Sequence, residues 1–292
     1  MTNRNNESMV WLITGASTGF GRALAEHAVQ RGDRVVATAR NPQSGALAEL
    51  AASAPDRVLA VRLDVTRPAE IDAAVAAALA RFGAIDTVVN NAGFGIVGAV
   101  EETTDAELRG AFEAMFFGAV ALTRAVLPHM RARRTGTIVQ ITSMGGIITA
   151  PGYGAYCAAK HALEAVSEAL AAEVAPLGIR VLVVEPGAFR TQLFGAGYRA
   201  MPEIAAYAPT VGPTRAMGAQ LHGAQVGDPA KAARAIFAAV AAGAPTLRLP
   251  LGGDAIDGIR AKLARIAADV DRTERIARDT AFEAEVDGPA TS

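Results

Sequence analysis

The chain has 292 residues, 51% of them hydrophobic by type, and a formal net charge of −1. That length fits one large α/β domain or at most two small ones, with enough apolar residues to cover both faces of a sheet. The near-neutral charge, with cations and anions interspersed, excludes a basic surface for nucleic acid or an anionic membrane.

Residues 1–8 are polar, lack the apolar segment of a signal peptide and are expected as a disordered extension. Beyond them, short β-branched runs alternate with alanine-rich helical stretches, which predicts successive βα units around a parallel sheet. The expected strands are Val10–Thr14, Arg34–Ala39, Val58–Leu63, Thr87–Asn90, Thr137–Thr142 and Arg180–Glu185. Helical patterns cover Gly21–Gln30, Ala69–Arg81, Asp105–Arg131 and Tyr153–Ala175. Pro68 suits a first helical turn with Thr66 as its cap, and Gly178 is placed to end a helix. Residues 192–228 lose periodicity and are expected as a substrate lid or binding loop. A surface helix follows at Ala255–Ala277, then a frayed tail, 286–292. Residues 9–285 thus read as a single-domain Rossmann fold, a doubly wound parallel sheet with helices on both faces.

The first strand runs into Gly15-Ala16-Ser17-Thr18-Gly19-Phe20-Gly21 and then a helix. Glycines permit a tight turn and close backbone approach to a pyrophosphate, and the helix N-terminus adds free N–H groups. The same trio would also serve an ordinary turn. Its spacing, T-G-x-x-x-G-x-G, resembles that of the short-chain dehydrogenase/reductase family, and further motifs follow in that family's order. Asn90-Asn91-Ala92-Gly93 closes the fourth strand and Ser143 follows the fifth. Tyr156-Cys157-Ala158-Ala159-Lys160 opens the next helix, and Pro186-Gly187 and Thr191 come after the sixth strand. The motifs span roughly Trp11 to Thr191, and the chain looks most like the branch with retinol- and hydroxysteroid-dehydrogenase-like proteins.

The end of the second strand decides the cofactor, because a carboxylate there accepts from a ribose hydroxyl whereas arginine pairs with a 2′-phosphate. Val36-Ala37-Thr38-Ala39-Arg40 has no carboxylate, so NADP(H) is preferred, with NAD(H) possible; the lesser alternative makes Arg40 a solvated loop residue. The resemblance implies cofactor contacts at Gly15, Ser17, Thr18, Gly19, Phe20, Gly21, Asp64, Val65, Asn91, Ala92 and Gly93. It further implies them at Tyr156, Lys160, Pro186, Gly187, Phe189 and Thr191.

Tyr156 and Lys160 are four residues apart and share one helix face. A nearby ammonium favours phenolate and should lower the tyrosine pKa from about 10 toward a useful range. Positioned acid–base catalysis of this kind is typically worth about 10²–10⁴ in rate. The resemblance makes Ser143, Tyr156 and Lys160 the catalytic set, with Ser143 holding the substrate oxygen, Lys160 the nicotinamide ribose and Thr191 the carboxamide. One departure stands out. Met115, in Ala114-Met115-Phe116-Phe117-Gly118, takes the place of the family's asparagine, which helps keep a water linking the lysine to solvent. Methionine is only a weak acceptor, so slower turnover or a different proton path is expected. If turnover is slowed, restoring asparagine should raise it.

The four histidines show no metal-ligand spacing and no metal is expected; Cys157 reads as a packing residue. Being the single cysteine, it excludes an internal disulfide and fits a reducing compartment. No apolar run approaches the roughly 18 residues of a membrane span, so a cytoplasmic protein is expected. The pair Glu101–Glu102 and the Arg131–Arg134 cluster read as solvated ends of elements, and Phe112, Phe116 and Phe117 as one packed helix face. The resemblance implies a homodimer or homotetramer on the helices at Asp105–Arg131 and Tyr153–Ala175. Leu193, Phe194, Tyr198, Met201, Ile204, Tyr207, Met217 and Leu221, with few charges among them, suit an apolar or weakly polar alcohol or carbonyl substrate. The competing reading is a dinucleotide-binding sensor with weakened turnover, favoured only by Met115.

Overall fold

A computed structural model of the chain describes residues 8–43, 45–195 and 197–282. The tail 286–292, most of the extension 1–8 and the last residues of the expected domain, 283–285, lie outside the described residues.

The chain opens with β1 (Val10–Ile13), α1 (Gly19–Gln30), β2 (Arg34–Ala39), α2 (Gly45–Ser53), β3 (Val58–Arg62) and α3 (Pro68–Phe82). Next come β4 (Thr87–Asn90), the short β5 (Gly95–Val97), α4 (Asp105–Phe112), a π-turn Glu113–Phe117, α5 (Gly118–Arg133) and β6 (Gly136–Ile141). The last part holds α6 (Gly154–Val174), β7 (Ile179–Pro186), β8 (Tyr198–Ala200), α7 (Ala208–Leu221), α8 (Pro229–Ala241), β9 (Arg248–Leu251) and α9 (Gly253–Arg278).

Seven strands form one sheet in the order β3-β2-β1-β4-β6-β7-β9, every pair parallel. The residues of β1, β4 and β6 are buried throughout, as strands with helices on both faces must be. Side chains alternate along β1. Trp11 and Ile13 enter a core with Leu24 and Ala28 of α1 and Ile236 of α8. Leu12 enters the opposite core with Ile71 of α3, Leu122 and Val126 of α5 and Leu170 of α6. The indole of Trp11 stacks on Phe237 and donates to the buried Asp33 carboxylate (2.8 Å), which also accepts from the Met9 amide. This is the expected single-domain, doubly wound Rossmann architecture.

Several local expectations change. The cap position of α3 is Arg67, not Thr66; the Thr66 hydroxyl donates to Asp64 instead, and Pro68 opens the helix as expected. Gly178 ends a short 3₁₀ turn at φ +76°, a backbone state that suits glycine. The pattern Asp105–Arg131 is not one continuous α-helix. A capping box between Thr104 and Glu107 starts α4, and the π-turn then inserts extra backbone at Met115 before α5. Gly118 lies so close to the connection after β3 that a Cβ there would come 2.8 Å from the Val65 carbonyl oxygen.

The run Asp105–Arg133 is, by length and composition, apolar enough to cross a membrane, contrary to the expectation of no such run. Its apolarity has another source here, since Leu122, Val126 and Met130 are fully buried against the sheet.

Residues 192–228 are more ordered than their composition predicts, holding β8 and α7. β8 pairs in parallel with β5, apart from the main sheet. Glu102, read as solvated, is only 7% exposed. It accepts from the backbone amides of Ala99 and Ile204 and from Arg215 of α7 (2.6 Å), while Arg215 also donates to the Met201 carbonyl. Its neighbour Glu101 accepts from the Tyr207 hydroxyl. The Glu101–Glu102 pair therefore ties α7 to the body of the protein rather than marking a free end.

Leu122 is fully buried between α5 and the sheet. Leu122→Ala is expected to lower the unfolding free energy by about 2–5 kcal/mol through lost transfer energy plus a cavity. A urea titration of wild type and variant checks this.

Candidate active site

All the singled-out motifs lie at one edge of the sheet, where strands end and helices begin. The switch point is between β1 and β4, whose following connections run in opposite directions and leave a crevice. After β1, Gly15 and Gly19 both take positive φ, +64° and +56°. Gly21 faces inward: a Cβ there would sit 2.5 Å from the Gly15 carbonyl oxygen and 2.6 Å from the Asn91 side-chain nitrogen. Only glycine fits that position, which also explains how α1 packs so closely on the turn. Thr18 occupies the cap position of α1 without a side-chain hydrogen bond, and no acidic residue lies in the first turn. The N–H groups and positive dipole end are thus offered to an anion near Ser17, Thr18 and Phe20.

Asn91 is a structural clamp. Its side chain donates to the carbonyls of Thr14 (2.8 Å) and Gly15 (3.3 Å). The backbone N–H groups of Asn91 and Ala92 donate in return to the Thr14 hydroxyl. The neighbouring Gly93 is exposed and packs on Met115.

Arg40 is exposed at the end of β2, and its carbonyl accepts from Arg62. Asp64, just past β3, feels the Arg40 and Arg67 charges. Burial raises its pKa, but hydrogen bonds from Thr66 and these two cations outweigh burial and hold it below the usual carboxylate range. Val65 is buried beneath Gly118.

On the other side of the crevice, Pro186 ends β7, and Gly187 is packed against Asp254, which accepts from the Ala188 amide. Phe189 is buried and meets Phe20 edge-on at 5.1 Å, while Thr191 touches Gly19. The two walls of the crevice therefore meet at Phe20 and Gly19. Signals for Asp254 and for the Phe20–Phe189 contact are absent from any local pattern, since each pairs residues far apart in sequence.

Ser143, Tyr156 and Lys160 come together from two elements. Ser143 follows β6, and its side-chain oxygen accepts from the Gly145 amide (3.0 Å). Tyr156 and Lys160 lie one turn apart on α6, with the Lys160 nitrogen 5.9 Å from the centre of the Tyr156 ring. Lys160 is 5% exposed and donates to the Ile141 carbonyl at 2.8 Å. Burial dominates the titration of both. It lowers Lys160 to about 8, partly offset by Glu164, and pushes Tyr156 up to about 12 despite a hydrogen bond with Ser143. The expected depression of the tyrosine is therefore not found: desolvation dominates, and Lys160, whose nitrogen bonds a carbonyl, is not among the groups that shift it.

Met115 is 1% exposed and forms a small apolar cluster with Ala111 and Ala159, against which Phe94, Phe112 and Tyr156 pack. The thioether thus fills the space behind the tyrosine. Tyr153, one turn before Cys157, has its hydroxyl 3.4 Å from that of Tyr198 in β8, and Arg199 lies over the Phe94 ring at 3.9 Å. Cys157 is buried, as its packing role requires.

The family model described as short chain dehydrogenase matches residues 9–200. A solved short-chain dehydrogenase from Streptomyces avermitilis superposes with a TM-score of 0.89 at 52% identity, covering 94% of this chain and all of its own. A 3-ketoacyl-(acyl-carrier-protein) reductase from Brucella melitensis, solved with NADH, is 29% identical with a TM-score of 0.72, over 85% of this chain and 99% of that one. Among curated proteins, the oxidoreductase BOA17 from Botryotinia fuckeliana is 39% identical over 85% of this chain and 90% of its own length.

The fit around Gly21 gives a direct test of the turn. Gly21→Ala forces the Gly15 carbonyl or the Asn91 amide to shift, and is expected to destabilise the protein by about 1–3 kcal/mol. Thermal unfolding of the ligand-free variant measures it.

Proposed function

This chain belongs to the short-chain dehydrogenase/reductase family of oxidoreductases, and we propose that it interconverts an apolar or weakly polar alcohol and its ketone or aldehyde with NADP(H). The observation that carries this reading is the convergence of Ser143, Tyr156 and Lys160 beside a glycine turn whose inward Gly21 admits no side chain. The residues present fit a dinucleotide. Positive-φ glycines and the uncapped start of α1 accommodate a pyrophosphate, with Asn91 holding the turn in shape. Pro186, Gly187, Phe189 and Thr191 would bound the nicotinamide end, and Asp64 and Val65 the adenine.

Arg40 supports NADP(H) over NAD(H). No carboxylate ends β2 to accept from a ribose 2′-hydroxyl, and the exposed guanidinium at that place suits a 2′-phosphate. The Arg40 charge reaches the Asp64 carboxyl and helps hold it below the usual carboxylate range.

The bound nicotinamide supplies or accepts the hydride. In reduction, Ser143 donates a hydrogen bond to the substrate oxygen and Tyr156 gives that oxygen its proton. Lys160 contributes a positive charge one turn away, which favours the phenolate left behind. Oxidation reverses the proton's direction. The half-buried side chains of Leu193, Phe194 and Tyr198 beside Tyr153 suit an apolar substrate body.

A dinucleotide-binding sensor is the second reading, and Met115 favours it. The complete Ser143–Tyr156–Lys160 set favours the enzyme, and turnover separates the two.

Tyr156→Phe is expected to lower kcat by at least about 10²-fold, the usual worth of a positioned acid. NADPH binding, followed by fluorescence, should persist. Retained turnover in this variant would remove Tyr156 from the chemistry, and a wild type that oxidises no NADPH with a panel of apolar ketones and aldehydes would favour the sensor. Arg40→Ala is expected to weaken NADPH by about ten- to hundredfold, the worth of hydrogen bonds to a charged group, with NADH little changed. Kd values for both cofactors check it.

A further inference from the structure

We propose that Glu164 and Glu185, bridged by Arg248, form a buried proton store that recharges Lys160 along α6 from its solvent-facing end. The idea rests on the oxidoreductase reading above and concerns only how the proton consumed in each turnover is replaced.

Tyr156, Lys160, Glu164 and Glu168 recur every four residues, so each lies over the next on the surface of α6. Helical side chains lean toward the N-terminus, which tips Glu164 toward Lys160. Glu164 is 3% exposed and lies beneath the turn that follows Ser143: a Cβ on Gly146 would come 2.9 Å from its Oε1. Glu185, at the end of β7, is completely buried. One guanidinium, that of Arg248 on β9, contacts Glu164 at 3.3 Å, Glu185 at 3.0 Å and the half-exposed Glu168.

The count of charges is the central point. Three carboxylates share one arginine, and two of them are buried. Glu164 Oε1 and Glu185 Oε2 lack a hydrogen-bond partner, and Glu185 Oε1 has only its ion pair with Arg248. Ionising all three would leave uncompensated negative charge in a low-dielectric site, so the group retains a proton. Burial first, and then the negative charge of Glu164, push Glu185 up to about 7, with Arg248 offsetting only part of this. Glu164 is likewise raised by burial, against hydrogen bonds from Thr142 and the charge of Arg248. The charged groups facing Glu164 are Lys160 and Glu168 on its own helix, Glu185 on β7 and Arg248 on β9. The turn above it contributes only Gly146, and the end of β6 only the Thr142 hydroxyl.

The opposite route is apolar. Met115, Ala111 and Ala159 form an apolar cluster against which Tyr156 packs, where a methionine thioether offers a proton almost nothing. In carbonyl reduction Tyr156 loses one proton to the substrate oxygen, which becomes an alcohol, and a phenolate remains. The Lys160 ammonium returns a proton to the phenolate and becomes a neutral amine. The protonated carboxyl of the Glu164–Glu185 pair, which acts on Lys160 through its charge rather than by direct contact, protonates that amine through an intervening water and becomes a carboxylate. Glu168, in contact with water, passes the next proton inward.

The test is the pH profile of kcat for NADPH-dependent carbonyl reduction in wild type, Glu164→Gln and Glu185→Gln, with NADPH Kd measured alongside. Glu164→Gln is expected to lower kcat about tenfold and to move the alkaline limb to lower pH, because Lys160 loses the negative neighbour that holds its proton. Cofactor Kd should not change, which a merely structural defect would not allow. Adding Met115→Asn to Glu164→Gln is expected to restore turnover by opening a path on the other side. In the unmodified protein, the infrared band of a protonated carboxyl should vanish as pH rises through about 7. Absence of that band overturns the proposal even if neither variant folds. Variants with the wild-type profile overturn it too, as does a loss of kcat matched by a loss of cofactor affinity. A wild type inactive with every carbonyl compound fails differently, since it sinks the oxidoreductase reading itself.

Discussion

At the ends of β1 and β4, the Thr14 hydroxyl accepts from two successive amides, those of Asn91 and Ala92, while the Asn91 side chain donates back across the gap to Thr14 and Gly15. Parallel strands that diverge at a switch point would otherwise leave these polar groups unpaired at the rim of the crevice. The reciprocal bonds hold the turn after β1 open and fix the position of Gly15. Gly21 then packs on that carbonyl, α1 takes its direction from Gly21, and the aromatic contact between Phe20 and Phe189 follows from both. The geometry of the crevice thus hangs on a threonine and an asparagine 77 positions apart.

The alternation of strands and helices was legible in the sequence because burial on both faces writes itself as unbroken apolar runs. Val10–Ile13 shows this, and Val88–Val89 in the fourth strand shows it more briefly, with the motifs at the strand ends falling on one sheet edge. β9 was not legible: it is four residues long and contains Pro250, tolerable only because the strand lies at the sheet edge. β5 and β8 have three residues each and exist only by pairing with one another. The π-turn could not be read either, since Glu113–Phe117 has ordinary helical composition and the extra backbone answers to packing of Met115 and Gly118. Glu102 misled for a similar reason. Nothing local marks a glutamate that will be covered by a helix more than a hundred residues later.

Within the site, which side chains lie near one another was easier to anticipate than their electrostatic state. The i, i+4 spacing on α6 places Lys160 near Tyr156, yet burial dominates the titration of both. Chain neighbours give proximity; only the full packing around them gives the local dielectric. The same helix carries Glu164 and Glu168 one and two turns on, and their shared partner, Arg248, comes from the last strand of the sheet. The strand hardest to see in the sequence therefore supplies the guanidinium that joins those carboxylates.

Residues 192–228 are attached at both ends. Thr191 rests on Gly19 at the start, and beyond β8 the Met201 amide bonds Val97 while Arg215 of α7 reaches Glu102. Such a segment behaves as a buckled strap rather than a hinged flap. Tyr198 is the tongue of that buckle: its ring lies against Gly95 of β5 and Gly218 of α7, so trimming it slackens the strap where the two meet.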